Sequence, residues 1–537
     1  MTTALRIGCW SGAWGDSLHA TADLLRAADL DVIVGDYLAE VTMALLARAR
    51  AKDAAGGHVP DVVTALAPVM REIADRGLRV VTNAGGLNPT ACREALQSAA
   101  AASGVTLPIA VVEGDDLLAR FDELRGRHLR GMTSRDEIPA TPLTLNAYLG
   151  ARPIAAALDA GAQIVLTGRA ADTALVLGPL MSAFGWADDD YDLLSAGSLA
   201  GHILECGAQG VGGLFSDWEA VPGWDNMAPP IAECGPDGSI VITKAPGMGG
   251  LVTPATVAEQ IVYEIGDPGA YVLPDVVCDW RDVRLDGAGP ERVRVAGARG
   301  SAPTTTYKVT STYEAGHRVL ATAMYAGHSA GAKARRAGHA ILARVDRLLA
   351  ERGEACLSET SVEIIGTEDT YGPAVRRDDA REVVLKLAAR DPRADALQLL
   401  AREFAPAALS MAPGMSGLTG GRPRVAPAIG VASLLVAKHR VAVRVVLDGS
   451  ALPVAVACGH PGAGAGTPAL PSRTDAPPYG GQVVPLHRVA YARSGDKGNA
   501  ANIGVIARTP DLLPLIREQV TPERVRAFFA HYLGGQV

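Results

Sequence analysis

The residues best suited to chemistry lie in five short loops, GCWSGAWGDS (8–17) and the four described next, each following a short apolar run. TGRAADTA (167–174) supplies Arg169, Asp172 and Thr173. A guanidinium can clamp a carboxylate or phosphate while a neighbouring carboxylate orients a polar atom or moves a proton. The same residues also suit a helix N-cap with an Arg–Asp surface pair. TNAGGLNP (82–89) combines Asn83, Gly85, Gly86 and Asn88 with a proline where a helix starts. Its backbone N–H groups can cradle an anion, or its glycines can simply supply the positive φ of a tight turn. GDYLAE (35–40) offers Asp36 and Glu40, and EGDD (113–116) offers Glu113, Asp115 and Asp116. Carboxylates gathered on one edge can divide into acid and base, or hold a hard cation, or merely cap helices. No metal is expected, because the chain has no H-E-x-x-H, no clustered Cys/His spacing of a metal site and no EF-hand spacing.

Two further groups stand apart from those loops. His202, Glu205 and Cys206 fall within about one helical turn, so a base and a nucleophile can share a face. Set against this, a lone cysteine or helical histidine usually belongs to the core. The late segment RSGDKGNAAN (493–502) packs Lys497 and Asn499 around two glycines. It reads either as an ordinary hairpin turn or as a loop whose Lys497 completes a site across a domain interface.

The elements that position these residues follow from hydrophobic periodicity. Strands are expected at 5–9, 31–35, 78–82, 108–112 and 163–167, alternating with helices near 18–28, 39–52, 60–76, 89–103 and 151–160. Five βα units predict a mostly parallel sheet in an α/β domain, with all the loops on one edge, where ligands bind in such sheets. Residues 188–250 are less regular and contain DWEAVPGWDN (217–226), with two tryptophans and three acidic groups. From about 305 to 450 the pattern changes to an α+β region with strand-like TTTYKVTSTYE and HRVLATAMYAG and a helix over 329–352. The Pro-, Gly- and Ala-rich stretch 459–484 reads as a linker. The expected organisation is an α/β domain over 1–300, an α+β region over 301–458, the linker, and a short module over 485–537.

Composition bounds the function classes. The 537 residues include 20% charged and 48% hydrophobic types, the range of a packed globular chain. A formal charge of −8 provides no overall positive field for a polyanion, so nucleic acid is not an expected partner. Seven scattered cysteines without a C-x-x-C pair fit a reducing compartment. The start MTTALRIGCW has neither a basic opening nor an apolar run, and a cytoplasmic protein without membrane insertion is expected.

Taken in order, RIGCWSGAWGDS, GDYLAEVTM, VVTNAGGLNP, NAYLGARPI, IVLTGRAADTALVLGP, LAGHILECGAQGVGG and SGDKGNAANIGV resemble the acyclic terpene utilisation (AtuA-like) family. The resemblance implies a ferredoxin-like C-terminal domain and an association with acyl-CoA catabolism of branched or terpenoid acids. It names no reaction. The chain stops at YLGGQV, where the family's C-terminal domain continues for further strands, so a shortened fragment is expected.

The resulting expectation is an enzyme acting on a polar acyl substrate, free or as a CoA thioester, by hydration, dehydration or hydrolysis. Redox chemistry is disfavoured because no G-x-G-x-x-G follows the first strand. Asp36, Asp172 and His202 are the expected proton-moving residues. Asn83, Gly85, Gly86, Asn88, Arg169, Thr173, Lys497 and Asn499 are the expected substrate contacts. No cofactor is specified beyond CoA as part of the substrate, and a homo-oligomer is expected. The rival is a non-catalytic acyl-CoA-binding subunit or scaffold. A scaffold would show an exposed apolar patch, and an enzyme would show strongly perturbed ionisable groups at the strand ends.

Overall fold

The computed structural model describes residues 4–133, 137–377, 379–417, 421–460, 481, 483–497 and 500–537. The linker stretch 459–484 therefore lies almost wholly outside the described residues.

The described chain forms two compact units. The first holds the chain through Tyr313, the stretch beginning at Val431 and the segment ending at Leu513. The second holds Glu314–Gly430 and the chain from Pro514 onward.

In the first unit an eleven-stranded sheet runs in the order Arg284–Gly287, Val293–Ala296, Ile240–Lys244, Pro230–Cys234, Leu5–Ser11, Val32–Gly35, Arg79–Thr82, Ile164–Thr167, Ile109–Glu113, Arg444–Leu447, Ser450–Pro453. The five βα strands make the parallel centre, joined by four parallel pairings. The other six pairings are antiparallel, which corrects the expectation of a mostly parallel sheet. Three of these pairings close hairpins, through 235–239, 288–292 and 448–449, and a hairpin can only pair its strands antiparallel; the other three join strands distant in the chain.

The central strands are buried on both faces, as parallel strands covered by helices must be. Alternate residues feed two cores. Cys9, Val34, Val81 and Val165 pack with the helices Arg152–Asp159, Ala174–Phe184 and Tyr191–Leu204. Trp10, Ile33, Val80 and Ile164 pack with Ala20–Ala27, Glu40–Lys52 and Pro89–Ala102. The helical stretch expected over 60–76 is broken into Asp61–Leu66, a 3-10 turn at Ala67–Val69 and Met70–Arg76. Pro68 lacks an N–H and crowds the preceding turn, which explains the break. A strand that sequence reading did not separate, Pro142–Ala147, pairs with Val309–Tyr313.

The segments TTTYKVTSTYE and HRVLATAMYAG belong to one 21-residue strand, Thr306–Ala326, and the division between the units falls within it. In the second unit its later part pairs with Glu382–Asp391, which also pairs with Glu359–Ile365. Ala330–Glu351 and Ala394–Phe404 cover this sheet through Ala334, Ile341, Leu397 and Phe404. The late polar segment forms the hairpin Ala490–Lys497 and Ala500–Ala507 in the first unit.

Candidate functional site

Asp36, Asn83, Asp115 and Arg169 each stand one or two residues beyond the end of a parallel strand, so the sheet brings their loops to one edge. Loops and side chains there are stitched together. The Asp36 N–H donates to the Ser11 carbonyl at 2.9 Å. Asn83 Nδ2 donates to Asp36 Oδ1 at 2.7 Å, while Asn83 Oδ1 accepts the Tyr37 N–H at 2.8 Å. One amide thereby fixes both the carboxyl and the backbone of the GDYLAE loop. Thr82 Oγ1 adds a bond to the Gly35 carbonyl at 2.7 Å.

Arg169 is buried, with 3% exposure. Its Nη1 donates to the Leu38 carbonyl and its Nη2 to the Tyr148 hydroxyl at 3.0 Å. The guanidinium lies 4.2 Å from the Tyr148 ring centre. Asp172 Oδ1 stands 3.5 Å from Nη1. Among the described residues, neither Arg169 Nε nor Asp172 Oδ1 has a hydrogen-bond partner. A buried guanidinium N–H without a hydrogen bond is costly in a finished core, and with the Asp172 oxygen held only by the 3.5 Å ion pair it suits a ligand that supplies the partner.

Tyr148 is a hub that sequence reading missed. Its hydroxyl donates to Glu40 Oε1 at 3.1 Å and accepts from Thr310 Oγ1 at 3.2 Å. Lys308 Nζ reaches the same Glu40 oxygen at 3.4 Å and lies 4.6 Å from the Tyr148 ring centre. The partners come from segments more than a hundred residues apart, which local patterning does not join. NAYLGARPI was the only available signal for Tyr148.

Electrostatics divide the carboxyl groups. Burial, reinforced by the Asp172 charge, pushes the Asp36 carboxyl well above the usual carboxylate range, and Arg169 and Asn83 pull it back only in part. Burial pushes Asp115 up to about 7, against the Arg169 N–H and the Asn146 amide that favour its anion. Burial works against the Arg169 charge, yet Tyr148, Asp172, Glu40 and Asp36 raise its affinity for the proton on balance. Carboxyl groups held in such different surroundings, Asp36 buried and Asp172 partly exposed, are the kind of arrangement that acid–base catalysis uses. Glu113 and Asp116 do not join the cluster. Glu113 pairs with Arg444 at 2.6 Å, and Asp116 accepts the Leu118 N–H at 3.0 Å.

Other expected site residues have structural duties. Asn88 caps the helix Pro89–Ala102 through Ala91 N, and its Nδ2 donates to the Ala54 and Gly56 carbonyls. Gly86, at φ +53°, donates its N–H to the Asn83 carbonyl, and Leu87 N donates to Gly57 O. A Cβ at Gly86 would collide with Leu46 and one at Gly85 with the Thr167 carbonyl. The TNAGGLNP turn is thus closed by its own chain. Thr173 starts the helix Ala174–Phe184 without a side-chain cap bond, and its backbone abuts Gly201.

His202 is fully buried with both ring nitrogens engaged, Nδ1 to Glu205 Oε1 and Nε2 to the Ile261 carbonyl, each at 3.1 Å. Burial disfavours its charge, but Glu205 and the Ile261 carbonyl raise it overall. With neither nitrogen open, His202 does not join the Asp36 and Arg169 cluster as a proton carrier. Burial and the Glu205 charge push the Cys206 thiol well above its ordinary value, which removes the thiolate a nucleophile needs.

The loops 8–17 and 217–226 meet at a cleft of about 250 Å³ lined by Trp10, Asp16, Gly207, Trp224 and Met248. Gly12 is required there, because a Cβ would strike the Cys206 backbone.

The C-terminal hairpin seats on residues 209–217 and 262–265. Arg493 bonds Gln209 Oε1 and lies 4.5 Å from the Tyr263 ring centre, and Asn502 Nδ2 donates to Val262 O at 2.9 Å. Lys497 ends the first strand of the hairpin, and its side chain lies outside what is described. Asn499 also lies outside the described residues.

Among the described residues no group of three or more His, Cys, Asp or Glu is placed to hold a metal, and no helix is long and apolar enough to cross a membrane. A sequence model described as acyclic terpene utilisation family protein AtuA matches residues 5–447, and one described as the AtuA ferredoxin-like domain matches 484–536. No curated protein and no solved structure matches the chain. The chain belongs to the acyclic terpene utilisation family, as a mixed α/β protein with an AtuA ferredoxin-like domain at its C-terminal end.

Proposed function

We propose that this protein is an enzyme of acyclic terpene catabolism whose strand-end cluster holds the carbonyl or carboxylate end of a polar acyl substrate, a CoA thioester included, and carries out hydration, dehydration or hydrolysis. Family membership supports the pathway. The single observation that carries the chemistry is the buried Arg169 whose Nε has no hydrogen-bond partner among the described residues, set beside Asp172 and the buried Asp36 carboxyl.

In hydration of an α,β-unsaturated acyl group, Arg169 donates to the acyl oxygen and stabilises the charge that develops on it. Asp172 takes a proton from water as the water oxygen bonds to the β-carbon, and Asp36 delivers its proton to the α-carbon. Product release and proton exchange restore both carboxyl groups. Asn83 positions Asp36, and Tyr148 positions Arg169.

The test is incubation of the full chain with branched α,β-unsaturated acyl-CoAs and free acids in ¹⁸O-labelled water, followed by mass spectrometry of the acyl product. One labelled oxygen should enter the product, and Asp36→Asn and Asp172→Asn should each slow its formation by about 100-fold or more. Binding of the acyl ligand with no turnover of any substrate would replace this reading with the acyl-CoA-binding subunit.

A further inference from the structure

Within the second unit, a short strand leaves space beside a longer one. Met415–Gly417 pairs with Ala323–Tyr325 for three residues, from Tyr325↔Met415 to Ala323↔Gly417. Beyond that pairing, Leu320–Thr322 border a cavity of about 450 Å³. Its walls include Leu320, Phe404, Ala408 and Met415, and Arg422 and Arg424 stand at its rim.

The chemistry of this cavity is divided in two. Phe404 is buried at the end of the helix Ala394–Phe404, and the buried Ala321 and Ala323 also border the cavity. Leu320 is 53% exposed, an apolar side chain left facing solvent in the cavity wall. Arg422 and Arg424 are exposed and make no hydrogen bond or ion pair among the described residues. The nearby carboxylate Glu403 is already engaged by Arg344 at 3.5 Å. Two uncommitted guanidinium groups above an apolar trough match a ligand with an anionic head and an apolar tail. The volume lies within the about 300–1,000 Å³ usual for small-molecule clefts.

We infer that this cavity binds an anionic amphiphile, with a carboxylate or phosphate held by Arg422 and Arg424 and an acyl or prenyl chain lying along Leu320, Phe404 and Met415. The site is a binding site of the second unit and does not depend on the reaction proposed for the strand-end cluster.

The experiment is calorimetric titration of the full chain with decanoate and decyl phosphate, with decanol and inorganic phosphate as half-ligands. The two amphiphiles should bind better than either half-ligand, and the one bound more tightly identifies the head group. Arg422→Ala/Arg424→Ala should weaken that binding by at least about tenfold, the size expected for losing charge-assisted bonds. Leu320→Glu, which places a carboxylate in the wall at an exposed position, should do the same with an unchanged melting temperature. Arg169→Gln should leave it intact, which separates this site from the strand-end cluster. Decanol binding as tightly as decanoate and decyl phosphate, inorganic phosphate binding as tightly as decyl phosphate, or binding lost in Arg169→Gln but kept in the double variant would each overturn the inference. So would the absence of binding by both amphiphiles at millimolar concentration.

Discussion

The Asp115 carboxylate accepts the backbone N–H of Arg169 at 2.8 Å and fills the space that a side chain on Gly168 would need. The loop bearing the buried guanidinium is therefore held from beneath by a carboxyl that never reaches the surface. Gly168→Ala should displace that carboxyl and lower stability by about 1–3 kcal/mol, the usual cost of overpacking. Denaturant unfolding measures it; an unchanged midpoint would mean that Asp115 is not what positions the loop.

Asp115 also sets a pH dependence whose sign follows from linkage. Its carboxyl titrates at 3.8 ordinarily and at about 7 in the fold, so between these values the folded state binds more protons than the unfolded state. The stabilisation it brings is complete below 3.8 and is lost as pH rises through about 7. Asp115→Asn removes this dependence, and an amide oxygen in the place of Oδ2 can still accept both the Arg169 N–H and the Asn146 Nδ2. The melting temperature of the variant relative to the parent should rise between pH 4 and pH 7. A difference that stays flat over that range would show that Asp115 is ionised throughout.

Trp10 Nε1 donates to the Tyr37 hydroxyl at 2.9 Å in the core beside the GDYLAE loop. Tyr37→Phe leaves a buried indole N–H unpaired and should cost about 1–3 kcal/mol. The expected result is a lower midpoint with the fold retained by circular dichroism, whereas a neutral substitution would place water against Trp10.

Arg493 ties the C-terminal hairpin to Gln209 and Tyr263. Arg493→Ala should weaken local protection of residues 490–507 by about 2 kcal/mol, from a lost charge-assisted bond and a lost cation–π contact. Hydrogen exchange should quicken there while the central strands stay protected. Uniform quickening would mean that the hairpin opens only with the whole unit.

Much of this architecture was legible because it is local. Gly77 and Gly161 end helices, Pro89 starts one, and the five apolar runs between them are the five parallel strands. The positions of Asp36, Asn83 and Arg169 followed from that grammar. The antiparallel wings were not legible, since nothing in residues 230–296 says which edge of the sheet they join. The Tyr148 hub was hidden for the same reason, because Glu40, Thr310 and Arg169 meet it only through tertiary pairing. Of the two readings of the TNAGGLNP glycines, local chemistry decided Gly86, whose N–H the turn itself uses, while Asn88, expected as a substrate contact, caps a helix. His202 lost its expected part to Glu205, three residues on, and to the Ile261 carbonyl.

The central claim is that the Arg169, Asp172 and Asp36 cluster binds a polar acyl ligand. The most direct measurement is thermal melting of the full chain against acyl-CoAs, free branched acids, CoA, nucleotides and divalent ions, with Arg169→Gln and Asp172→Asn alongside. A ligand that binds only the folded state raises the melting temperature, by linkage. The account predicts a rise with an acyl ligand that vanishes in both variants. A rise that survives both substitutions, or none with any acyl ligand, would contradict it.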